Sequence, residues 1–338
     1  MEKSMSAEKI INEWKKNIFK PLYWLEGEEE FYTDVVMDYA EHKILSEADV
    51  AFNLTVFYGK DANWTEVVNA CSRYPMFAQK QVVLLKEAQQ MKDIDKLENY
   101  ITNPLASTIL VVSYKGKTID GRSKLAKLLK HSGEVLSTKK LYDNKLPGWT
   151  NDYIQSKGYT ITPRALTLLV DHIGNDLSRI VNEFEKVSMN VGDRKNINDD
   201  DIEKYVGISK EYNVFELQQA LSNKDLAKAI TIIQYFEGNP KAAPIQMLLP
   251  ALYNHFSKVL TVFQMSDKSE NALRPLFYNN PYAARQALET VLNYSYSGVE
   301  QTLMLLHEYN LKSVGVNSIG VSDASLMKEL TVKIINHT

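Results

Sequence analysis

The stretch from Leu25 to Phe31 occupies the place of a phosphate-binding loop, between a predicted strand and a predicted helix. A P-loop would read G-x-x-x-x-G-K-[ST], with backbone N–H groups around the phosphates, a lysine near the β- and γ-phosphates and a hydroxyl on magnesium. Here the residues are Leu-Glu-Gly-Glu-Glu-Glu-Phe, without lysine or hydroxyl. The glutamates suit a helix N-terminus and would repel a triphosphate. We therefore predict a P-loop-like topology that has lost nucleotide chemistry; the alternative is a fold that never bound nucleotides.

The ends of two other predicted strands agree with this interpretation. Nucleotide hydrolases place an aspartate at the end of a core strand to hold magnesium. The third predicted strand ends in Lys86 and Glu87, and the fourth ends in Ser113. Glu87 is a weak candidate for a metal ligand. Ser113 can equally be a residue that caps its strand or one that senses a phosphate. An active, divergent ATPase using Glu87 and Ser113 stays open as an alternative.

Other catalytic patterns are missing from the sequence. The histidines do not follow a metal-ligand spacing, and there is no G-x-S-x-G nucleophile motif. The single cysteine, Cys71, excludes an internal disulfide framework and fits a reducing compartment. We predict no catalytic residue, no cofactor and no metal site.

An apolar pair, Met76 and Phe77, follows Pro75 and precedes a strand-like run. The proline should end the preceding helix and stiffen the turn. Two large apolar side chains in such a turn either fold back into the core or project outward as an anchor for a pocket on another protein. The residues alone leave both open.

A basic segment runs from Lys115 to Lys145, with nine basic against three acidic residues. It is either a solvated helix face or a docking face for an acidic protein or a DNA backbone. Aromatic residues that would stack on bases do not alternate with the lysines. The candidate contact residues are Lys115, Lys117, Arg122, Lys124, Lys127 and Lys130.

The elements that would position these residues fall into two kinds. Before about residue 140, near-continuous apolar runs alternate with helical patterns; the runs are residues 22–25, 52–58, 82–85, 108–113 and 134–137. Such runs predict a parallel sheet covered by helices on both faces. After residue 140 the pattern is helical, without a convincing strand, and a second boundary is expected near residues 208–213.

Composition limits the class of protein. The chain has 338 residues, 24% charged residues and a net charge of −3, so a general electrostatic attraction to DNA is not expected. The first twenty residues lack an apolar signal core, and no run is long enough to span a membrane. We expect a cytoplasmic protein without a membrane partner.

Several segments in order resemble the delta subunit of the bacterial DNA polymerase III clamp loader. They are residues 23–31 (YWLEGEEEF), 75–83 (PMFAQKQVV), 97–104 (LENYITNP), 108–113, 120–127 (DGRSKLAK), 174–187 (GNDLSRIVNEFEKV) and 213–217 (NVFEL). The resemblance covers nearly the whole chain, and the order and spacing of the segments carry it.

The resemblance implies an α/β P-loop-like (AAA+-type) N-terminal domain at residues 1–140, a small helical lid domain at 141–210 and an all-helical collar domain at 211–338. It implies a non-catalytic subunit that binds and opens the sliding clamp (the beta subunit). The contact would be an apolar wedge of Met76 and Phe77, shaped by Pro75. Other loader subunits would join through the collar, and primer-template DNA would be met in the assembled complex. No intrinsic ATPase or polymerase activity is expected, although the complex belongs to a DNA polymerase holoenzyme.

Two departures from the family pattern surround the apolar pair. Gln79-Lys80-Gln81 stands where a basic pair is common, and Met76 replaces a branched aliphatic residue. Methionine adapts to pockets, so we expect binding to change in strength rather than to disappear. The alternative function is a helical adaptor without a clamp contact, in which Met76 and Phe77 are buried.

Overall fold

The computed structural model describes residues 6–209, 211–240, 243–277, 280–318 and 320–336. The chain divides into two compact units, Met1–Leu141 and Tyr142–Thr338. A further division of the second unit near residue 210 stays a prediction.

The first unit is built on a five-stranded sheet. Its strands are β1 (Leu22–Gly27), β2 (Leu54–Tyr58), β3 (Gln81–Lys86), β4 (Thr108–Lys115) and β5 (Glu134–Thr138). Their order is β2-β3-β4-β1-β5 and every pairing is parallel. Parallel neighbours need crossover connections, and helices supply them between the strands.

The helices of this unit are α1 (Ala7–Lys15), α2 (Glu30–Lys43), α3 (Glu47–Asn53), α4 (Trp64–Cys71), α5 (Glu98–Ile101) and α6 (Lys124–Ser132). Side chains alternate across β3, so Val82 and Leu84 enter one apolar cluster while Val83 and Leu85 enter the other. The sheet is therefore buried on both faces, as its continuous apolar runs predict.

The second unit is mainly helical. Its helices are α7 (Leu146–Ser156), α8 (Pro163–Ile173), α9 (Leu177–Val191), α10 (Asp199–Asp201), α11 (Val214–Ser222), α12 (Leu226–Gly238), α13 (Ile245–Gln264), α14 (Glu270–Leu273), α15 (Pro281–Asn293), α16 (Tyr296–Ser313) and α17 (Asp323–Asn336). Thr162 caps α8, and Pro163 takes its first position because proline needs no helical N–H partner there. The predicted order, a parallel α/β domain followed by helical regions, is confirmed.

Two expectations about strands are wrong. The second strand begins at Leu54 rather than Phe52, because Phe52 and Asn53 close helix α3. The region after residue 140 contains two short parallel strands, β6 (Thr160–Ile161) and β7 (Asn196–Ile197). A two-residue strand is too short to show an alternating pattern in the sequence.

A buried polar triangle joins three helices of the second unit. His255 Nε2 lies 3.2 Å from both Ser222 Oγ and Thr290 Oγ1, and the Thr290 hydroxyl donates to Ser222 Oγ at 2.8 Å. Burial, helped by the charge of Lys258, lowers the pKa of His255 to about 4. The imidazole is therefore neutral at pH 7 and takes part in the packing as an uncharged group.

Within the described residues, no helix is both long enough and apolar enough to cross a membrane.

Candidate protein-binding turn and the closed phosphate site

The turn between α4 and β3 presents apolar side chains to solvent. Phe77 is 97% exposed and Met76 is 53% exposed, and Tyr74 is also exposed. Pro75 is half-buried beneath them. A plug of the core, the alternative left open by the sequence, would require these side chains to be buried. Their exposure instead gives the surface a cluster of the residue types that anchor protein interfaces.

Helix α4 and strand β3 hold the two ends of the turn. Buried Gln81 donates from Nε2 to the carbonyl of Arg73 at 2.5 Å and to Thr108 Oγ1 at 2.8 Å. The Thr108 hydroxyl donates to the carbonyl of Cys71 at 2.8 Å. The carbonyls in the last turn of a helix have no hydrogen-bond partner within the helix. Here side chains of β3 and β4 supply partners for the carbonyls at and just after the end of α4. The turn therefore starts and ends on fixed backbone.

The apex of the turn is held from a third element. The side-chain amide of Asn53, at the end of α3, donates to the Met76 carbonyl at 2.9 Å and accepts from the Met76 N–H at 2.7 Å. Phe77 follows with a φ of +57°, in the left-handed region that bulky residues avoid. Asn53 is not among the predicted site residues, because the apolar run around it predicts a strand. A polar residue interrupting an apolar run was the available signal.

Two of the residues that follow Met76 and Phe77 form hydrogen bonds within the domain. Lys80 donates from Nζ to the Ala106 carbonyl at 3.3 Å, and Gln81 holds the turn as described. Among residues 79–81, Gln79 is the exposed one. Gln81 thus has a structural role in the turn.

The turn after β1 is closed against a phosphate by the protein itself. The N–H of Gly27 donates to the Lys117 carbonyl at 3.1 Å, and the N–H of Glu28 donates to the Thr138 carbonyl at 3.2 Å. The Glu29 carboxylate caps α2 by accepting from the N–H of Phe31 at 3.3 Å. Three backbone donors of this turn, which a P-loop would direct toward phosphate, therefore already have partners.

Carboxylates also balance the positive charges around this turn. Lys115 Nζ lies 2.6 Å from Asp34 and 3.7 Å from Glu30, both on α2. Lys86, at the end of β3, pairs with Glu41 at 2.6 Å. Burial raises the pKa of Glu26, whose carboxylate accepts from the Trp24 indole and the Ile119 N–H. The two lysines nearest the strand ends are thus neutralised.

The remaining strand-end candidates do not form a metal site. Glu87 takes a left-handed conformation after β3, and the Ser113 side chain is buried within β4. Among the described residues, no group of three or more histidine, cysteine, aspartate or glutamate side chains is arranged to hold a metal ion. Burial also raises the pKa of Cys71, so its thiol stays protonated.

In the folded chain, some side chains of the basic segment form ion pairs and others lie exposed without one of these pairs. Lys115 is engaged with α2, Lys124 pairs with Glu98 at 2.7 Å, and Arg122 pairs with Asp120 at 3.2 Å. Lys117 lies 5.3 Å from the centre of the Tyr114 ring. Lys127 and Lys130 lie exposed on α6. Lys115 is therefore withdrawn from this face, whereas Arg122 and Lys124 stay highly exposed together with Lys127 and Lys130 of α6.

The fold and these two features define a class: a P-loop-like α/β module with a closed phosphate turn, continued by helices. Residues 23–139 match the family model "DNA polymerase III, delta subunit". The DNA polymerase III subunit delta of Bacillus subtilis (strain 168) is 24% identical over 342 residues, covering 95% of this chain and 95% of that protein. The chain thus resembles a DNA polymerase III delta subunit over nearly its full length.

A solved structure shows the same fold. The Bacillus subtilis DNA clamp loader delta protein (YqeN) superposes with a TM-score of 0.56 and 21% identity, covering 97% of this chain and 99% of that chain. The fold class predicted from the sequence is confirmed.

Proposed function

We propose that this chain is the non-catalytic, clamp-binding subunit of a clamp loader. Met76 and Phe77 would enter an apolar pocket of the sliding clamp and favour a clamp conformation that cannot keep its ring closed. The observation that carries the proposal is the outward position of Phe77, 97% exposed on a turn fixed at both ends. The resemblance to delta subunits supports the choice of partner.

The apolar pair is large enough to supply a substantial part of the binding free energy. Burying a side chain of this size contributes about 1.5–3 kcal/mol, so the two together would contribute about 3–6 kcal/mol. Since about 1.4 kcal/mol changes affinity tenfold, losing both should weaken binding by roughly 10²- to 10⁴-fold. A wedge can open the clamp only through higher affinity for the open form, because a ligand that binds both forms equally shifts nothing.

The other parts of the proposal concern the assembled loader. Neighbouring subunits would hydrolyse ATP, since the phosphate turn of this chain is closed by Glu29 and by its own carbonyls. The helical region from residue 211 would join the other subunits as a collar. The exposed face of α6, with Lys127 and Lys130, would meet either a neighbouring subunit or primer-template DNA.

Clamp release tests the opening step. Clamps loaded on nicked circular DNA should come off when the isolated chain is added in excess without ATP, because the chain selects the open form. The Met76→Ser/Phe77→Ser variant should leave them in place. Met189→Ala is a matched control, since Met189 is also highly exposed but lies on α9 of the second unit. Release by the double variant at the wild-type rate would contradict the wedge.

A charge reversal on α6 distinguishes a contact with a neighbouring subunit from a contact with DNA. Lys127→Glu/Lys130→Glu should weaken assembly of the loader in the absence of DNA if the face meets a subunit. Normal assembly with weaker binding of the loader to primer-template DNA would place DNA on this face instead. Normal assembly together with normal DNA binding would show that these α6 lysines are needed for neither the subunit contact nor the DNA contact.

A further inference from the structure

The Pro75–Phe77 turn is held by a side chain that lies 23 residues earlier in the chain. Asn53 is 2% exposed, and both ends of its amide bond the backbone of Met76, at 2.9 Å as donor and 2.7 Å as acceptor. A buried amide needs partners for its donor and its acceptor. Here Met76 satisfies one of each, so Asn53 bonds both peptide groups that flank the Met76 Cα.

The conformation of Phe77 needs such a support. Its φ of +57° is unfavourable for a bulky residue and persists only when the surroundings impose it. Packing of the Phe77 side chain cannot impose it, because the ring is almost fully exposed. The constraint must therefore come through the backbone, where Asn53 acts on the preceding residue and Gln81 acts further along.

We propose that Asn53 is a positioning residue for clamp binding, which holds the Pro75–Phe77 turn in its binding conformation before the clamp arrives. This inference rests on the proposed function. A turn already ordered loses less conformational entropy on binding, so affinity rises without a new contact to the partner. Without Asn53, the exposed pair would still be present but would sample other conformations.

The test compares clamp affinity and local exchange in the full-length chain. Asn53→Ala should weaken binding to the sliding clamp by about 10-fold or more, because ordering the turn is then deferred to the binding step. The Met76 amide should exchange with deuterium faster, while amides inside β3 and β4 keep wild-type protection.

Asn63→Ala is the matched control. Asn63 caps α4 in the same unit by accepting from the Glu66 N–H at 3.0 Å, and it makes no bond to the turn. Its loss should lower stability yet leave clamp affinity unchanged. Equal loss of affinity in both variants would mean that Asn53 acts through stability alone and would overturn the proposal.

A second variant covers the case in which Asn53→Ala fails to fold. Asn53→Asp keeps the size and the acceptor for the Met76 N–H but cannot donate to the Met76 carbonyl. It should bind the clamp more weakly than wild type, and wild-type affinity would contradict the two-sided hold. The outcomes also separate the two proposals. If the wild-type chain fails to bind the clamp, the proposed function fails; if wild type and Asn53→Ala bind equally while Phe77→Ala does not, only the role of Asn53 fails.

Discussion

At the scale of single residues, the decisive feature is that Phe77, an aromatic residue, lies exposed to solvent. An aromatic side chain is usually buried, and its position after a proline could not decide between core and surface. The structure places Phe77 outside, on a turn in which the backbone of Met76 is bonded to Asn53, a partner that is distant in the chain. The sequence could identify the pair, but no local pattern shows the direction in which its side chains point.

Exposure of Phe77 has a direct consequence for stability. Phe77→Ala should change the free energy of unfolding by less than about 1 kcal/mol, since surface substitutions rarely cost more. The same change at Phe256, which is fully buried in the second unit, should cost about 3–5 kcal/mol. Urea unfolding of both variants beside wild type measures the difference. A loss of several kcal/mol at Phe77 would mean that the ring packs in the core.

At the scale of elements, the strands were the easiest to predict and the short helices the hardest. Buried parallel strands are continuous apolar runs, so all five could be placed within a few residues. Helix α1 was missed because only Ala7, Ile10 and Trp14 face the core along its nine residues. Helix α3 was missed because Phe52, an exposed aromatic residue, extended the apparent second strand.

The turn from β1 into α2 carries its own prediction. Three of its N–H donors are occupied, those of Gly27, Glu28 and Phe31, and α2 presents acidic residues to the same region. Isothermal titration of the isolated chain with ATP and magnesium should therefore show no binding at millimolar nucleotide. Glu29→Gln should not restore binding, because the carbonyl partners of Gly27 and Glu28 remain. Saturable heat with a 1:1 stoichiometry would revive the divergent ATPase.

At the scale of the whole molecule, the chain forms two compact units of different architecture. The first unit holds both the exposed turn and the closed phosphate site, while the second is a helical assembly with its own apolar core. The sequence could predict this change of architecture, since apolar runs stop after residue 140.

The stability of the second unit should depend on pH through His255. The folded chain keeps this imidazole neutral down to about pH 4, whereas the unfolded chain takes up a proton below its ordinary pKa of about 6.5. Stability is therefore complete above about pH 6.5 and falls as the pH drops toward 4. Between pH 7 and pH 4.5, wild type should lose about 2.5 kcal/mol more than His255→Gln, as measured by urea unfolding. Parallel losses in the two chains would show that His255 is not the responsible group.

The central claim is that Met76 and Phe77 bind the sliding clamp, and one equilibrium measurement tests it most directly. The dissociation constant for the clamp of the same organism is measured for wild type and for Met76→Ser/Phe77→Ser, with a thermal unfolding curve of each chain. We predict tight binding by wild type, at least 100-fold weaker binding by the variant, and closely similar unfolding curves, because the pair adds contact area without supporting the core. Equal binding by two folded chains would contradict the account, and the absence of binding by folded wild type would favour a helical adaptor instead.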